Sequence, residues 1–157
     1  MDLEELLREQ HYLYISSHFF LLPVFLAIYQ DRYDILLISV SILITSILRW
    51  GNRTQVIYQY IDHNWVKIVF VYLLYSLFIM FYEFGISDIE MVYILGMTFS
   101  ICFYFLIETI LYYMGYYRWV IPFHLYVHFY SILSFILLLN YNYDFLKVLK
   151  TNLILKT

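Results

Sequence analysis

The sequence contains one cysteine, two prolines and four glycines, so cross-links and backbone breaks are rare. The single cysteine, Cys102, excludes an intramolecular disulfide and any zinc site built from paired cysteines. Charged residues are also scarce, at 13%, and the net charge of −3 gives no indication of nucleic-acid binding. The first ten residues, MDLEELLREQ, lack the basic start and small-residue cleavage site of a signal peptide. We therefore expect the apolar stretch after them to be retained as a membrane span.

Alanine is nearly absent, with Ala27 as the only one, whereas there are 19 tyrosines and 14 phenylalanines. This bias is typical of an AT-rich genome, so the aromatic excess alone is no evidence of function. Hydrophobic residues make up 64% of the chain. Soluble domains are about 45–50% apolar and about 25% charged. The composition therefore predicts an integral membrane protein, in which one domain covers residues 1–157.

The hydrophobic runs predict membrane-spanning helices. A helix needs about 20 mainly apolar residues to cross the hydrocarbon of a bilayer. Stretches of this kind predict an all-α, polytopic transmembrane bundle of about five spans, with Pro23 kinking the first. Residues 1–10 form an amphipathic N-terminal segment, and 141–157 form a C-terminal tail in which lysines alternate with apolar residues. The predicted spans are 11–29, 35–50, 61–84, 91–115 and 119–140.

Successive spans cross the membrane in opposite directions, which assigns each span end to one of two sides. We call side B the side on which the first, third and fifth spans begin, and side A the opposite side. Ser46, Asp62 and Glu108 then lie near side B. Polar groups at membrane depth are expensive and are functional candidates by default. All five histidines fall near the same side: His11, His18, His63, His124 and His128.

His124 and His128 are four residues apart on the fifth span and project from one helix face. This spacing is typical of a metal or cofactor pair, and a catalytic zinc usually takes three protein ligands and a water. The plainer alternative is that both imidazoles hydrogen-bond to neighbouring helices or reach lipid head groups. Haem bound between His18 and one of the pair is a third interpretation, which the clustered acids make less favourable than a metal.

Three further side chains are candidates for the same site. Glu108 is a candidate metal ligand, proton acceptor or partner that fixes an imidazole, and the alternative is a protonated carboxyl bonded to Tyr112. Asp62 is a candidate general base, although an aspartate near a helix N-terminus is also stabilised by the helix dipole. Ser46 is a candidate for binding a water or ligand, although helical serines often bond to the carbonyl four residues earlier.

The remaining residues near side B are interpreted as features of the membrane surface. Arg49 and Arg53 are candidates for contact with lipid phosphates, and the alternative is that they are ordinary flanking charges. Trp50, Trp65 and Trp119 fit an interfacial aromatic belt.

The chain contains, in this order, Ser46-x-x-x-Trp50, Asp62 and His124-x-x-x-His128. This pattern resembles that of the CREST membrane superfamily, which includes the alkaline ceramidases and the progestin/adipoQ receptors. That family has Ser-x-x-x-His late in one span, Asp early in the next and His-x-x-x-His early in the last. The resemblance implies a zinc ion held by three histidines, with the serine and aspartate beside its water. It also implies an amide hydrolase that acts on ceramide-like membrane lipids. Here Trp50 stands at the first histidine position and cannot bind zinc, and the five spans would be a reduced form of the family's seven.

Two functions are therefore expected as alternatives. The first is a zinc-dependent lipid amide hydrolase, with His124, His128 and Glu108 as metal ligands. Its catalytic residues would be Asp62 and Ser46. The second is a non-catalytic membrane protein with a decayed site, acting in assembly or partner binding. Membrane lipids are the expected partners of either.

Overall fold

The computed structural model describes residues 3–52, 56–84 and 89–140. Within these residues the chain folds into α-helices and contains no strand. The helices are α1 (Leu3–His18), α2 (Leu21–Tyr29), α3 (Tyr33–Gly51), α4 (Val56–Phe84), α5 (Ile89–Tyr113) and α6 (Tyr117–Leu139).

Five helical segments of the described chain are long and apolar enough to cross a membrane. The first combines the end of α1 with α2, and the other four lie in α3, α4, α5 and α6. They confirm the prediction of an all-α bundle with about five spans, and they fit a multi-pass membrane protein. The predicted N-terminal segment is helical from Leu3, as the first part of α1. The predicted tail, 141–157, lies outside the described residues.

Pro23 divides the first span. A proline has no N–H, and its ring clashes with the carbonyl four residues earlier, here that of Phe19. Helix α1 accordingly ends at His18, and the amides of Phe19 and Phe20 donate to carbonyls three residues earlier, at 3.1 and 3.2 Å. Helix α2 begins at Leu21 and holds the proline in its first turn, where the missing N–H costs little. The expected kink is therefore a break between two helices.

Helices α2 and α5 end in Schellman motifs. The residue in the left-handed conformation is Asp31 after α2 and Gly115 after α5, with φ of 54° and 79°. Glycine adopts this conformation without steric cost, whereas the Cβ atom of Asp31 is strained there. The two turns reverse the chain at side A and side B respectively. In each, the next amide donates to the carbonyl five residues earlier, from Arg32 to Ala27 and from Tyr116 to Leu111, both at 2.9 Å.

A buried ion pair closes the bundle at side A. Arg32 Nη2 lies 2.9 Å from Asp34 Oδ2, and the Tyr72 hydroxyl donates to the same carboxylate oxygen at 2.8 Å. Arg32 Nη1 also donates to the carbonyl of Leu138 at 3.3 Å. A cation is favoured at this point because the C-terminal end of a helix carries a partial negative charge. These contacts attach α4 and α6 to the turn that precedes α3.

Helix α6 packs against α1, α2, α3 and α5. Its side chains Val127, Phe135 and Leu138 are buried in the same apolar cluster as Phe20 and Leu73. Apolar side chains of α6 therefore fill the interior, and the histidine pair on this helix is drawn into the interior with them.

Small side chains at the helix contacts are mainly serines. Small residues let membrane helices approach closely, and with a single alanine in the chain that role falls to serine here. Ser17 is fully buried and its hydroxyl donates to the Leu13 carbonyl at 2.8 Å. Three other fully buried serines have hydroxyls without a hydrogen-bond partner among the described residues: Ser39, Ser76 and Ser134.

Candidate functional site

The structure brings the five residues predicted as a site together at one edge of the bundle. Their side chains come from the C-terminal halves of α3 and α5 and from the first halves of α4 and α6, because these parts of the helices meet towards side B. All are buried, with exposed fractions between 0 and 4%. With Arg49 and Ser16 they form a set that we call the side-B network. The five are Ser46, Asp62, Glu108, His124 and His128.

Arg49 lies at the centre of the side-B network. Its Nη1 donates to Asp62 Oδ2 at 2.8 Å, and its Nη2 donates to Glu108 Oε1 over a longer distance of 3.4 Å. The Ser46 hydroxyl donates to the other oxygen of Asp62 at 2.9 Å, so this serine bonds to α4 and not to its own helix. The side chain of Arg49 is only 7% exposed. Both interpretations of Arg49, as a contact with lipid phosphates and as an ordinary flanking charge, are therefore wrong. Arg53 lies outside the described residues.

Sequence reasoning missed Arg49 because of its place in α3. It lies two residues before the end of that helix, where a long cationic side chain usually extends to the membrane surface. Here Asp62 and Glu108 lie within reach of the inward-turned side chain. The inward orientation of Arg49 could have been inferred from the two acids at membrane depth, because two buried carboxylates require either a nearby cation or protonation.

His124 is held between a carboxylate and an indole. Its Nδ1 lies 2.8 Å from Glu108 Oε2, and because an ionised carboxylate only accepts, Nδ1 carries the proton. The ring packs edge-on against Trp50, with centroids 5.1 Å apart, and the Arg49 guanidinium lies 4.3 Å from the centre of the same indole. Trp50 is buried, so its predicted place in an interfacial belt is wrong. The other His124 nitrogen, Nε2, has no hydrogen-bond partner in the described part of the chain.

His128 is anchored to α1. Its Nδ1 lies 2.9 Å from Ser16 Oγ. The Ser16 hydroxyl donates its proton to the Leu13 carbonyl at 2.9 Å, so it accepts from the imidazole. Both histidines of the pair therefore donate from Nδ1, which leaves Nε2 as the ring nitrogen that could meet a ligand, and their ring centroids are 4.6 Å apart. Ser16 was not predicted, since an isolated serine on an apolar span carries no signal of its own.

The histidine pair has the form of metal ligands, because ligating imidazoles usually donate the second ring N–H to a carboxylate or another acceptor. A zinc site needs at least a third protein ligand. Glu108, the predicted third ligand, is bonded through one oxygen to His124 and through the other to Arg49. No group of three His, Cys, Asp or Glu side chains within residues 3–52, 56–84 and 89–140 is arranged to hold a metal ion.

The other histidines lie outside the side-B network. His11 packs against Tyr14, with ring centroids 6.4 Å apart. His18 Nδ1 is bonded to the Tyr14 carbonyl of its own helix at 2.9 Å, and none of its described contacts joins it to the histidine pair as the haem interpretation requires. His63 packs against Phe105 at 4.5 Å and lines a cavity beside the network.

This cavity, of about 200 Å³, opens between the start of α4 and the end of α5. Its buried lining consists of Arg49 and Glu108, which belong to the side-B network. It is therefore a route by which a molecule from outside the bundle could reach those charges. The remaining lining residues are Val56, Gln59, Tyr60, His63, Thr109, Tyr112 and Tyr113.

Comparison of the chain with family models, with curated proteins and with solved structures finds no match. The resemblance to the CREST superfamily rests on the spaced residues of the sequence. What the site does is inferred below from its geometry and its charges.

Proposed function

We propose that the chain is a multi-pass membrane protein that binds a ligand or partner at side B and does not hydrolyse lipid amides. The position of Arg49 carries this proposal. Its guanidinium lies 2.8 Å from the Asp62 carboxylate and 3.4 Å from that of Glu108. It supplies the positive charge that a metal would bring, and it uses the oxygens with which these acids would bind a metal or its water. A second cation placed beside it in a medium of low dielectric would be repelled.

We further infer that the chain is a diverged relative of the CREST superfamily. In support, Ser46, Asp62 and His124 lie in one hydrogen-bonded set with Arg49 and Glu108, and His128 packs against His124. Two adjacent positions of α3 then account for the departure: Trp50 fills the place of a histidine ligand, and Arg49 replaces the charge of the metal. Membrane lipids are the partners that this relationship implies.

The zinc-dependent lipid amide hydrolase is the second candidate. It is favoured by the arrangement of the histidine pair, in which both Nδ1 atoms are held by acceptors and both Nε2 atoms are left as the nitrogens that could bind a metal. Ser46 and Asp62 would then act beside the metal, as the resemblance implies. This function requires a third ligand, so metal content separates the two candidates.

The test is zinc analysis of the full chain purified in detergent. We expect far less than one zinc per chain in the wild type, and the same amount in the His124→Ala, His128→Ala double variant. Circular dichroism shows whether the double variant is folded. One zinc per wild-type chain, lost in the folded variant, would overturn the proposal in favour of the hydrolase.

A second experiment adds the missing ligand. The Trp50→His, Arg49→Gln variant supplies a third imidazole and removes the competing cation, so we expect it to bind zinc. Its matched control is Trp50→Phe, Arg49→Gln, which removes the same cation without adding a ligand and should bind none. Equal zinc in both variants would contradict the relationship to the CREST superfamily.

A further inference from the structure

Helix α4 carries an exposed lysine, Lys67, inside a candidate membrane span. We propose that the outward face of α4 is an interaction surface for a transmembrane helix of another protein, and that this helix carries an aspartate or glutamate near the middle of the bilayer. The carboxylate pairs with the ammonium of Lys67. The surface lies outside the side-B network, so the inference goes beyond the proposed function and does not depend on it.

The depth of Lys67 follows from the contacts of Asp62. The Asp62 carboxylate accepts hydrogen bonds from Ser46 and Arg49 of α3, at 2.9 and 2.8 Å. Lys67 is five residues further along α4, which places it about 7.5 Å further from side B. Because α3 runs in the opposite direction, this is the level of Ile42, the middle residue of the 19-residue helix α3. A helix of that length is about as long as the hydrocarbon is thick, so Lys67 lies near the middle of the bilayer.

The ammonium of Lys67 has a neutral partner but no carboxylate. Its Nζ donates to Asn64 Oδ1 at 3.2 Å, and Asn64 Nδ2 donates in turn to the carbonyl of Tyr60 at 2.9 Å. Among the residues that the structure describes, no acid forms an ion pair with Lys67. A charged side chain at this depth normally faces the bundle interior, water or an opposite charge. Lys67 faces outward, so the opposite charge has to come from another chain.

Extension to the lipid head groups does not account for Lys67. A lysine near the end of a span can reach the membrane surface with its four-carbon stem. Here the ammonium is bonded to Asn64, which is only three residues, or about 4.5 Å along the helix axis, nearer side B. Half the thickness of the hydrocarbon is about 15 Å. The ammonium therefore remains inside the hydrocarbon.

The side chains on either side of Lys67 form a seam that is typical of packed helices. Six residues recur at alternating spacings of four and three, the repeat with which membrane helices pack along one another. The opposite side of α4 carries the buried residues Val69, Leu73 and Met80, so the seam points away from the bundle. Towards side A the seam borders an apolar cavity of about 300 Å³ between α4 and α5, which can accept a large apolar side chain of the partner. The six are Tyr60, Asn64, Lys67, Val71, Leu74 and Phe78.

A second copy of this chain does not supply the opposite charge. In the described parts of the spans, the acids on the side-B half are Asp62 and Glu108, and both are buried and bonded to Arg49. Lipid phosphates lie at the membrane surface, beyond the reach of the lysine. The partner is therefore a different protein, recognised by one carboxylate near the middle of an otherwise apolar helix.

The probe is a synthetic transmembrane helix of leucines with one central glutamate, and its two control peptides carry glutamine or leucine at that position. The full chain, labelled at a single cysteine (Asn52→Cys in a Cys102→Ser background), is reconstituted with each labelled peptide in phosphatidylcholine vesicles. Association is measured by fluorescence resonance energy transfer. We expect the glutamate peptide to associate about tenfold more tightly than either control. Equal association of the glutamate peptide and a control would overturn the proposal.

The Lys67→Met variant tests the lysine itself. Its side chain is exposed, so the replacement should leave the fold intact, which circular dichroism checks. We expect the glutamate peptide to associate with this variant no more tightly than the leucine peptide does. The matched control, Arg118→Met, removes an exposed cation at the side-B end of α6 and should bind as the wild type does. Undiminished binding of the glutamate peptide by Lys67→Met would overturn the proposal.

Energy transfer between differently labelled copies of the chain shows whether the same face binds a second copy. We expect the wild type and Lys67→Met to associate with themselves to the same extent. Self-association that is lost in Lys67→Met would assign the surface to a second copy and overturn the proposal. The zinc analysis is unaffected by either result, so this inference and the proposed function can fail separately.

Discussion

Arg49 is the side chain on which the side-B network depends most, because it is the cation paired with both buried acids. Removing one partner of a buried ion pair typically costs about 3–5 kcal/mol, since the remaining charge stays buried without compensation. We therefore expect Arg49→Met to lower the free energy of unfolding by about 3–5 kcal/mol. The measurement is denaturant unfolding in detergent, followed by circular dichroism.

Neutralising the acids provides the control. Arg49→Met combined with Asp62→Asn and Glu108→Gln should recover part of the loss, because no uncompensated charge then remains buried. If Arg49→Met alone unfolds at the midpoint of the wild type, the guanidinium does not stabilise the network.

Asp31 has the left-handed conformation of a residue that ends a helix, with φ of 54°. A residue with a Cβ atom pays about 1–2 kcal/mol there, and aspartate tolerates the conformation better than most. We expect Asp31→Gly to raise the melting temperature in detergent, and Asp31→Val, which adds a β-branched side chain, to lower it. The opposite order would show that the aspartate side chain contributes more at this turn than its backbone strain costs.

The residues of the site divide into those that the sequence identifies and those that it does not. His124, His128 and Glu108 are recognisable because polar groups are rare inside apolar runs. Arg49 and Trp50 are not, because the last turn of a span ordinarily holds arginine and tryptophan at the membrane surface. Their inward orientation depends on what the other helices place opposite them, which spacing along one helix does not show.

At the scale of helices, close packing depends on buried serines, and some of these serines have hydroxyls without a hydrogen-bond partner among the described residues. Ser39 and Ser134 are fully buried, and their hydroxyls have no hydrogen-bond partner among the described residues. Replacing an unpaired buried hydroxyl by hydrogen removes a desolvation cost, and alanine also has the higher helix propensity. We expect Ser39→Ala and Ser134→Ala each to raise the free energy of unfolding by about 0.5–1 kcal/mol.

Ser17→Ala is the matched control, because this buried hydroxyl donates to the Leu13 carbonyl at 2.8 Å. It should gain less than either of the other two variants, as measured by unfolding in the same detergent. A loss of stability in Ser39→Ala and Ser134→Ala would show that both hydroxyls have a compensating role.

The spans themselves are predictable from the sequence, since the bilayer requires about 20 apolar residues in each. Helix limits are less predictable. Helix α4 begins at Val56, five residues before the predicted third span, because the residues VIYQY extend the helix ahead of that span. The break between α1 and α2 precedes Pro23 because the proline disturbs the turn before it.

At the scale of the whole molecule, the side-B network takes at least one side chain from each of the five candidate spans. Its bonds run from α1 to α6 through His128, from α6 to α5 through His124, and from α5 to α3 and α4 through Arg49. Such a network forms only if consecutive spans cross in alternating directions. The zinc test depends on this topology, because it brings Asp62, Glu108 and the histidine pair to the same side of the bundle.

Topology is tested by cysteine labelling in a Cys102→Ser background, since the native cysteine is exposed. Single cysteines at Asn52 and Met114 would mark side B, and single cysteines at Asp31 and Asn140 would mark side A; all four positions are exposed. In sealed vesicles an impermeant maleimide should label either the first pair or the second, and after permeabilisation it should label all four. If Asn52→Cys and Asp31→Cys react from the same side, α3 does not cross the membrane. Ser46 and Arg49 would then be unable to meet the acids of α4 and α5 inside the bilayer.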